Sequence, residues 1–112
     1  MWLRITSLSG AAAVGLGAFG AHRMNKTPES FKEVWKTAQL YHFMHTLALG
    51  IVVTGPFTLR KKNIVGGLFA AGIVLFSGGC YTVALMESRK WGATAPVGGF
   101  ALIGGWLALG FL

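Results

Sequence analysis

Acidic residues are nearly missing from this sequence. Of its 112 residues only Glu29, Glu33 and Glu87 are acidic, against 10 Lys and Arg, so the net charge is +7. None of the three lies inside a long apolar stretch. That excludes paired intramembrane carboxylates for acid–base work, and the carboxylate relay of a proton-coupled exporter. Cysteine is reduced to Cys80 alone, which excludes an internal disulfide and any Cys-cluster metal site. Charged residues make up 12%, about half the ~25% of soluble domains. What fills the gap is apolar: 54% hydrophobic residues together with 17 glycines. An ordinary soluble domain and a charge-rich disordered chain are both excluded. The positive balance does not call for nucleic acid, and none is expected as a partner. In membrane proteins Lys and Arg gather at lipid headgroups.

The charges fall in four groups, and four uncharged stretches lie between and after them: Ile5–Ala21, Ala38–Leu59, Asn63–Met86 and Trp91–Leu112. They are 17, 22, 24 and 22 residues long. A spanning helix needs about 20 apolar residues, with a range near 17–25. No barrel-like alternation is present. The expected fold is therefore all-α: an integral membrane four-helix bundle, one domain over 1–112, with spans near 5–22, 36–56, 63–86 and 94–112. Both termini then share one side, A, and the first and third loops share the other, B. The basic start and small residues of the first stretch also suit a signal peptide; we expect a retained span. Side B carries six Lys/Arg and side A four, which weakly favours side B as cytoplasm or matrix. Trp2 and Trp106 fall toward side A, and Trp35 and Trp91 toward side B, as two interfacial belts.

A short amphipathic lead-in helix is expected before the second span. Thr27 is the expected hydroxyl cap, Pro28 the first helical residue and Glu29 the early acid. Phe31, Val34 and Trp35 then recur opposite Lys32 and Lys36. The second span should weaken at Gly55-Pro56. Arg60-Lys61-Lys62-Asn63 reads as a tight turn, with Arg60, Lys61 and Lys62 facing lipid headgroups, cardiolipin among them, or a protein surface.

Helices in lipid associate by close packing and hydrogen bonds. Gly10, Ala13, Gly17 and Gly20 form one small-residue stripe, and Gly98, Ala101, Gly105 and Ala108 another. Either stripe packs within the bundle or docks another subunit. On the docking reading, leucine at Gly17 or Gly105 weakens association.

Gly15-Leu16-Gly17-Ala18-Phe19-Gly20 matches G-x-G-x-x-G, but inside an apolar helix, with no strand before it, so no nucleotide is expected. His22, Tyr41, His42, His45, Cys80 and Tyr81 should reach similar depth in the side-B half. Three readings stand. One is a hydrogen-bonded cluster that locks the helices, with Gln39, Thr46 and Ser77 as partners. The second is a headgroup, quinone or subunit site. The third is metal or haem ligation, which needs more ligands than two histidines at i and i+3. A Cys80–histidine nucleophile pair is weak, since a lone apolar-segment cysteine is mostly packing. No catalytic residue, metal ligand set or cofactor is expected, and the protein is not expected to be an enzyme.

The blocks G-A-F-G-A-H (17–22), W-K-T-A-Q-L-Y-H-F-M-H-T-L-A-L (35–49), G-I-V-L-F-S-G-G-C-Y (72–81), A-P-V-G-G (95–99) and G-W-L-A-L (105–109) resemble the membrane-protein family called domain of unknown function 423. The resemblance runs from about Leu8 to Leu112. It implies a four-helix integral membrane protein with no established catalytic role. Tyr41-His42 with His45 looks like the eukaryotic branch, the transmembrane protein 256 group; bacterial members often carry glutamine at the first histidine. That branch implies a mitochondrial location, most naturally the inner membrane. The expected function is an accessory, non-catalytic subunit of a larger membrane-protein complex there, of the respiratory chain. The alternative is a lipid-, quinone- or small-ligand-binding or transport protein using the histidine cluster.

Overall fold

The computed structural model describes residues 1–112, all helix and connecting turn, with no strand. Four long helices follow one another: α1 (Trp2–Arg23), α2 (Glu29–Thr54), α3 (Leu59–Met86) and α4 (Ala95–Phe111). Single 3-10 segments, Met24–Lys26 and Arg89–Thr94, close α1 and lead into α4. A π-helical segment, Ile73–Ser77, interrupts α3.

Three of the four are long and apolar enough to cross a membrane: α1, α3 and α4, the first and last counted with their 3-10 segments. The expected second span, 36–56, is the exception. Gln39, Tyr41, His42, His45 and Thr46 dilute its apolar half. Yet α2 is central. Eight of its residues are buried, among them Trp35, His42, His45 and Thr46, while α1 buries only Ala13 and Gly20. The polar α2 is enclosed together with the apolar α3, while α1 and α4 face outward, as expected where the surroundings are lipid and polar groups must be satisfied within the protein.

Two apolar clusters flank the polar residues. Ala48, Leu49, Val52, Val65, Phe69 and Leu102 join α2, α3 and α4. Met24, Trp35, Ala38, Tyr81 and Ala84 join the other end of α2 to α3 and the α1 exit. Two glycines set how closely the helices approach. A Cβ on Gly98 of α4 would collide with the backbone of Leu75 and Phe76 in the π segment, and one on Gly20 of α1 with the Trp35 indole.

Several boundaries differ from those read in the sequence. Thr27 does not cap α2; its hydroxyl lies 3.7 Å from Met24 Sδ. Pro28 takes the N-cap instead, and its carbonyl accepts from the Phe31 and Lys32 amides. The lead-in is not a separate element, because nothing after Pro28 breaks the helix before Gly55. Helix α2 does end at Gly55, ahead of Pro56. Arg60, Lys61 and Lys62 are not a tight turn. They form the first turn of α3, which Thr58 caps by accepting from the Lys61 amide at 3.2 Å. Helix α3 ends at Glu87, whose φ of 48° is left-handed.

Candidate functional site

The middle of α2 carries two histidines three residues apart, with different partners. His42 is 5% exposed and His45 3%. Three residues turn a helix by about 300°, so the two rings leave on neighbouring faces.

His42 belongs to a row of hydrogen bonds whose direction follows from valence alone. The Thr46 hydroxyl has one proton, and gives it to the His42 carbonyl at 2.7 Å. Ser9, on α1, must therefore donate to Thr46 Oγ1 at 2.6 Å. With its one proton committed, Ser9 Oγ accepts from His42 Nε2–H at 3.1 Å. In a neutral ring Nδ1 is then the acceptor, and takes the Tyr81 hydroxyl proton of α3 at 2.9 Å. Tyr81 in turn accepts from Gln39 Nε2 at 2.6 Å. The other Gln39 amide proton goes to the Ala13 carbonyl at 3.2 Å. One histidine thus ties α2 to both α1 and α3.

His45 faces α4. Trp106 can only donate, and its Nε1–H reaches His45 Nε2 at 3.0 Å. His45 Nδ1–H donates to the Tyr41 carbonyl one turn back at 2.8 Å. The neutral ring is fully used. Phe69 and Trp106 meet it edge-on, with centroids at 5.6 and 5.9 Å. Ligation of a metal at Nε2 would require the Trp106 bond to be given up. No group of three His, Cys, Asp or Glu side chains converges anywhere in the chain.

The six residues expected to meet are therefore divided. His42 and Tyr81 bond directly. Tyr41 contributes its carbonyl to His45, while its ring packs on Phe76. Cys80 is half-buried against the Met24–Trp35 cluster. His22 is exposed and lines a polar hollow with Arg23, Lys26 and Glu87. Depth alone suggested a single cluster; the helical phase of each residue separates them. Of the expected partners, Gln39 and Thr46 join the His42 row. Ser77 instead donates to the Ala38 carbonyl at 3.0 Å. Two members were missed. Ser9 is one of three hydroxyl residues, with Thr6 and Ser7, near the start of the first apolar stretch, and the sequence does not single it out. Trp106, assigned to a side-A belt, sits at the level of His45 because its indole N–H bonds that ring.

The small-residue stripes face this chain's own helices. A Cβ on Gly17 would lie 2.7 Å from Gln39 Oε1, and one on Gly105 2.7 Å from the Phe69 ring. Gly10 has ordinary contact distance to Thr46, and Ala13 is fully buried. Ala101 and Ala108 are half-buried, the latter against the Leu49–Phe69 cluster. Leucine at Gly17 or Gly105 would disturb internal packing first. In the basic turn, Lys62 Nζ donates to the Val53 carbonyl at 3.0 Å and Lys61 lies over the Phe57 ring at 5.1 Å. Arg60 is exposed.

A cavity of about 440 Å³ opens between α1 and α3. Its wall is mainly apolar, and it reaches Ser9, His42 and Tyr81.

Enclosed polar helix, apolar exterior and self-satisfied hydrogen bonds define a small helical membrane protein. The family described as Protein of unknown function (DUF423) matches residues 16–99. A UPF0382 membrane protein of Staphylococcus saprophyticus, SSP2132, is 42% identical over 113 residues, covering 97% of this chain and 92% of its own. The UPF0382 membrane protein YwdK of Bacillus subtilis is 36% identical over 116 residues, with the same coverage. The UPF0382 inner membrane protein YgdD of Escherichia coli is 39% identical over 107 residues, covering 93% and 82%. The chain belongs to the DUF423 family of membrane proteins. No solved structure matches it.

Proposed function

We propose that this chain is a non-catalytic, four-span membrane protein, a single helical bundle over 1–112, that acts by packing on a larger membrane assembly. On this reading α2 is the fourth span. It is 26 residues long, and the other helices shield its polar side chains. Both termini then lie on one side.

The observation that carries the reading is a second small-residue face on α1. Ser7, Ala11, Gly15 and Ala18 lie within a narrow arc and are all exposed. Nothing approaches within 4 Å of where a Gly15 Cβ would stand. It lies across the helix from the stripe Gly10–Gly20 that packs inside. Smooth faces of this kind let helices approach closely in lipid. The filled valences of His42 and His45 support a non-catalytic role.

In its specific form the assembly is a respiratory-chain complex of the mitochondrial inner membrane, where Arg60, Lys61 and Lys62 meet anionic lipid such as cardiolipin. The support for that form is the Tyr41-His42…His45 pattern; the relatives named above are bacterial.

The test is gentle solubilisation of native membranes, with co-migrating proteins identified by mass spectrometry. Migration with one large assembly, lost in Gly15→Leu, supports the reading. Migration of the wild type as a small species in every mild detergent overturns it. A second reading, ligand binding or transport, is favoured by the cavity that reaches His42 and Tyr81. Thermal stabilisation by a quinone or other small ligand would favour it instead.

A further inference from the structure

A second cavity, of about 410 Å³, lies between α1 and α2 at the end of the molecule where α1 finishes. Its wall on α1 is bare, formed by Gly17, Gly20 and Ala21. Its rim is basic and polar, with Asn25, Lys32 and Lys36. Along α2 its lining runs from Lys32 to Gln39, about 10 Å, with Lys36 less than one turn from Gln39. Each lysine has only a loose acidic neighbour: Lys32 lies 4.0 Å from Glu29 and Lys36 3.6 Å from Glu33.

Between the two lysines on α2 stands Trp35. It is 5% exposed, and its indole N–H donates to no atom of the protein. Every fully enclosed polar side-chain atom in the chain has a partner. The Trp35 N–H therefore reaches open space, and this cavity is the space beside it. Its Nε1 lies against Gly20, where a Cβ would collide with it. A donor left free by the chain and open to a cavity can take an acceptor from whatever fills that cavity.

We propose that this cavity binds one anionic glycerophospholipid, with its phosphate at Lys32 and Lys36 and an ester carbonyl accepting from Trp35 Nε1–H. Along α2 the order is Lys32, Trp35, Lys36, so one donor lies between two positive charges, with the bare wall of Gly17, Gly20 and Ala21 on α1 facing them. Phosphate attracts the two ammonium groups as point charges. The glycines leave room that any larger residue would fill. The site meets the His42 row only at Gln39, lies apart from the basic turn Arg60–Lys62, and does not depend on whether the chain joins a larger assembly.

The full chain, purified in detergent, is titrated with phosphatidylglycerol, phosphatidylcholine or inorganic phosphate, and bound adducts are counted by native mass spectrometry. Phosphatidylglycerol should bind in preference to phosphatidylcholine. Lys32→Gln/Lys36→Gln should weaken it about tenfold, from roughly fivefold per lysine less the loose carboxylate neighbours. Trp35→Phe keeps a ring and removes the donor, and should weaken it about threefold. Arg89→Gln/Lys90→Gln removes the same charge at the same end, outside the cavity, and should leave binding unchanged. Equal binding of the two lipids, undiminished binding in the lysine double variant, or equal loss in the Arg89/Lys90 control would overturn the proposal. Inorganic phosphate adducts at comparable concentration would reassign the site to a free anion and overturn it likewise.

Discussion

His42 and His45 share one turn of α2 and nearly the same burial, yet they hold the molecule in different ways. His42 sits in a row of side chains drawn from three helices, each the donor to the next. His45 has one bond outward, to Trp106, and one back along its own helix. Removal of His42 leaves Ser9 and Tyr81 both short of a partner. Removal of the Trp106 indole leaves one imidazole nitrogen short, beside a residue that is 45% exposed. The lesson is that burial does not rank these residues; the number of helices joined through each does.

The largest test is His42→Leu, which loses two interhelical bonds and should cost about 2 kcal/mol, at up to ~1 kcal/mol per bond in lipid. Reversible unfolding in mixed micelles reads it. Trp106→Phe should cost less, about 1 kcal/mol or below, for one bond and a smaller ring. If both variants lose the same stability, the contrast between the two histidines is wrong. The smallest effect is the most discriminating. Ser9→Ala and Tyr81→Phe share His42 and should be coupled by about 0.5 kcal/mol or more. Ser9→Ala and Trp106→Phe should add within about 0.5 kcal/mol. Coupling in the second pair would merge the two networks into one.

Much of this architecture is legible in the chain. Charge spacing places the long helices, because only uncharged runs of 17–24 residues separate the basic groups. Gly55-Pro56 ends α2 where expected. The start of α3 differs from the expected turn, because a basic run suits the first turn of a helix as well as a loop. Thr58 is a good cap, and Lys and Arg are good helix formers, so the helix begins four residues before Asn63. The π segment leaves no simple mark in composition. It lies where Gly98 brings α4 against the α3 backbone, a contact between residues far apart in sequence. For the site, the residue types were readable and their grouping was not. Depth follows from counting along a helix, whereas phase depends on which neighbour each face meets. Gln39 and Thr46 fell to the expected side; His22 and Cys80 did not. The inward stripe Gly10–Gly20 is visible as small-residue spacing. So is Ser7–Ala11–Gly15–Ala18, but only the fold tells which of the two remains free.

The hydrogen-bonded row through His42 also bears on insulation. Hydroxyls and an imidazole lined up inside a membrane are the materials of a proton wire. This row starts at the Gln39 carboxamide, which holds its protons, and finishes on the carbonyl of His42 itself, which has none to pass on. It folds back on α2 without leading to either end of the helix. A molecule can thus keep a polar centre in an apolar setting and still leave the barrier around it intact.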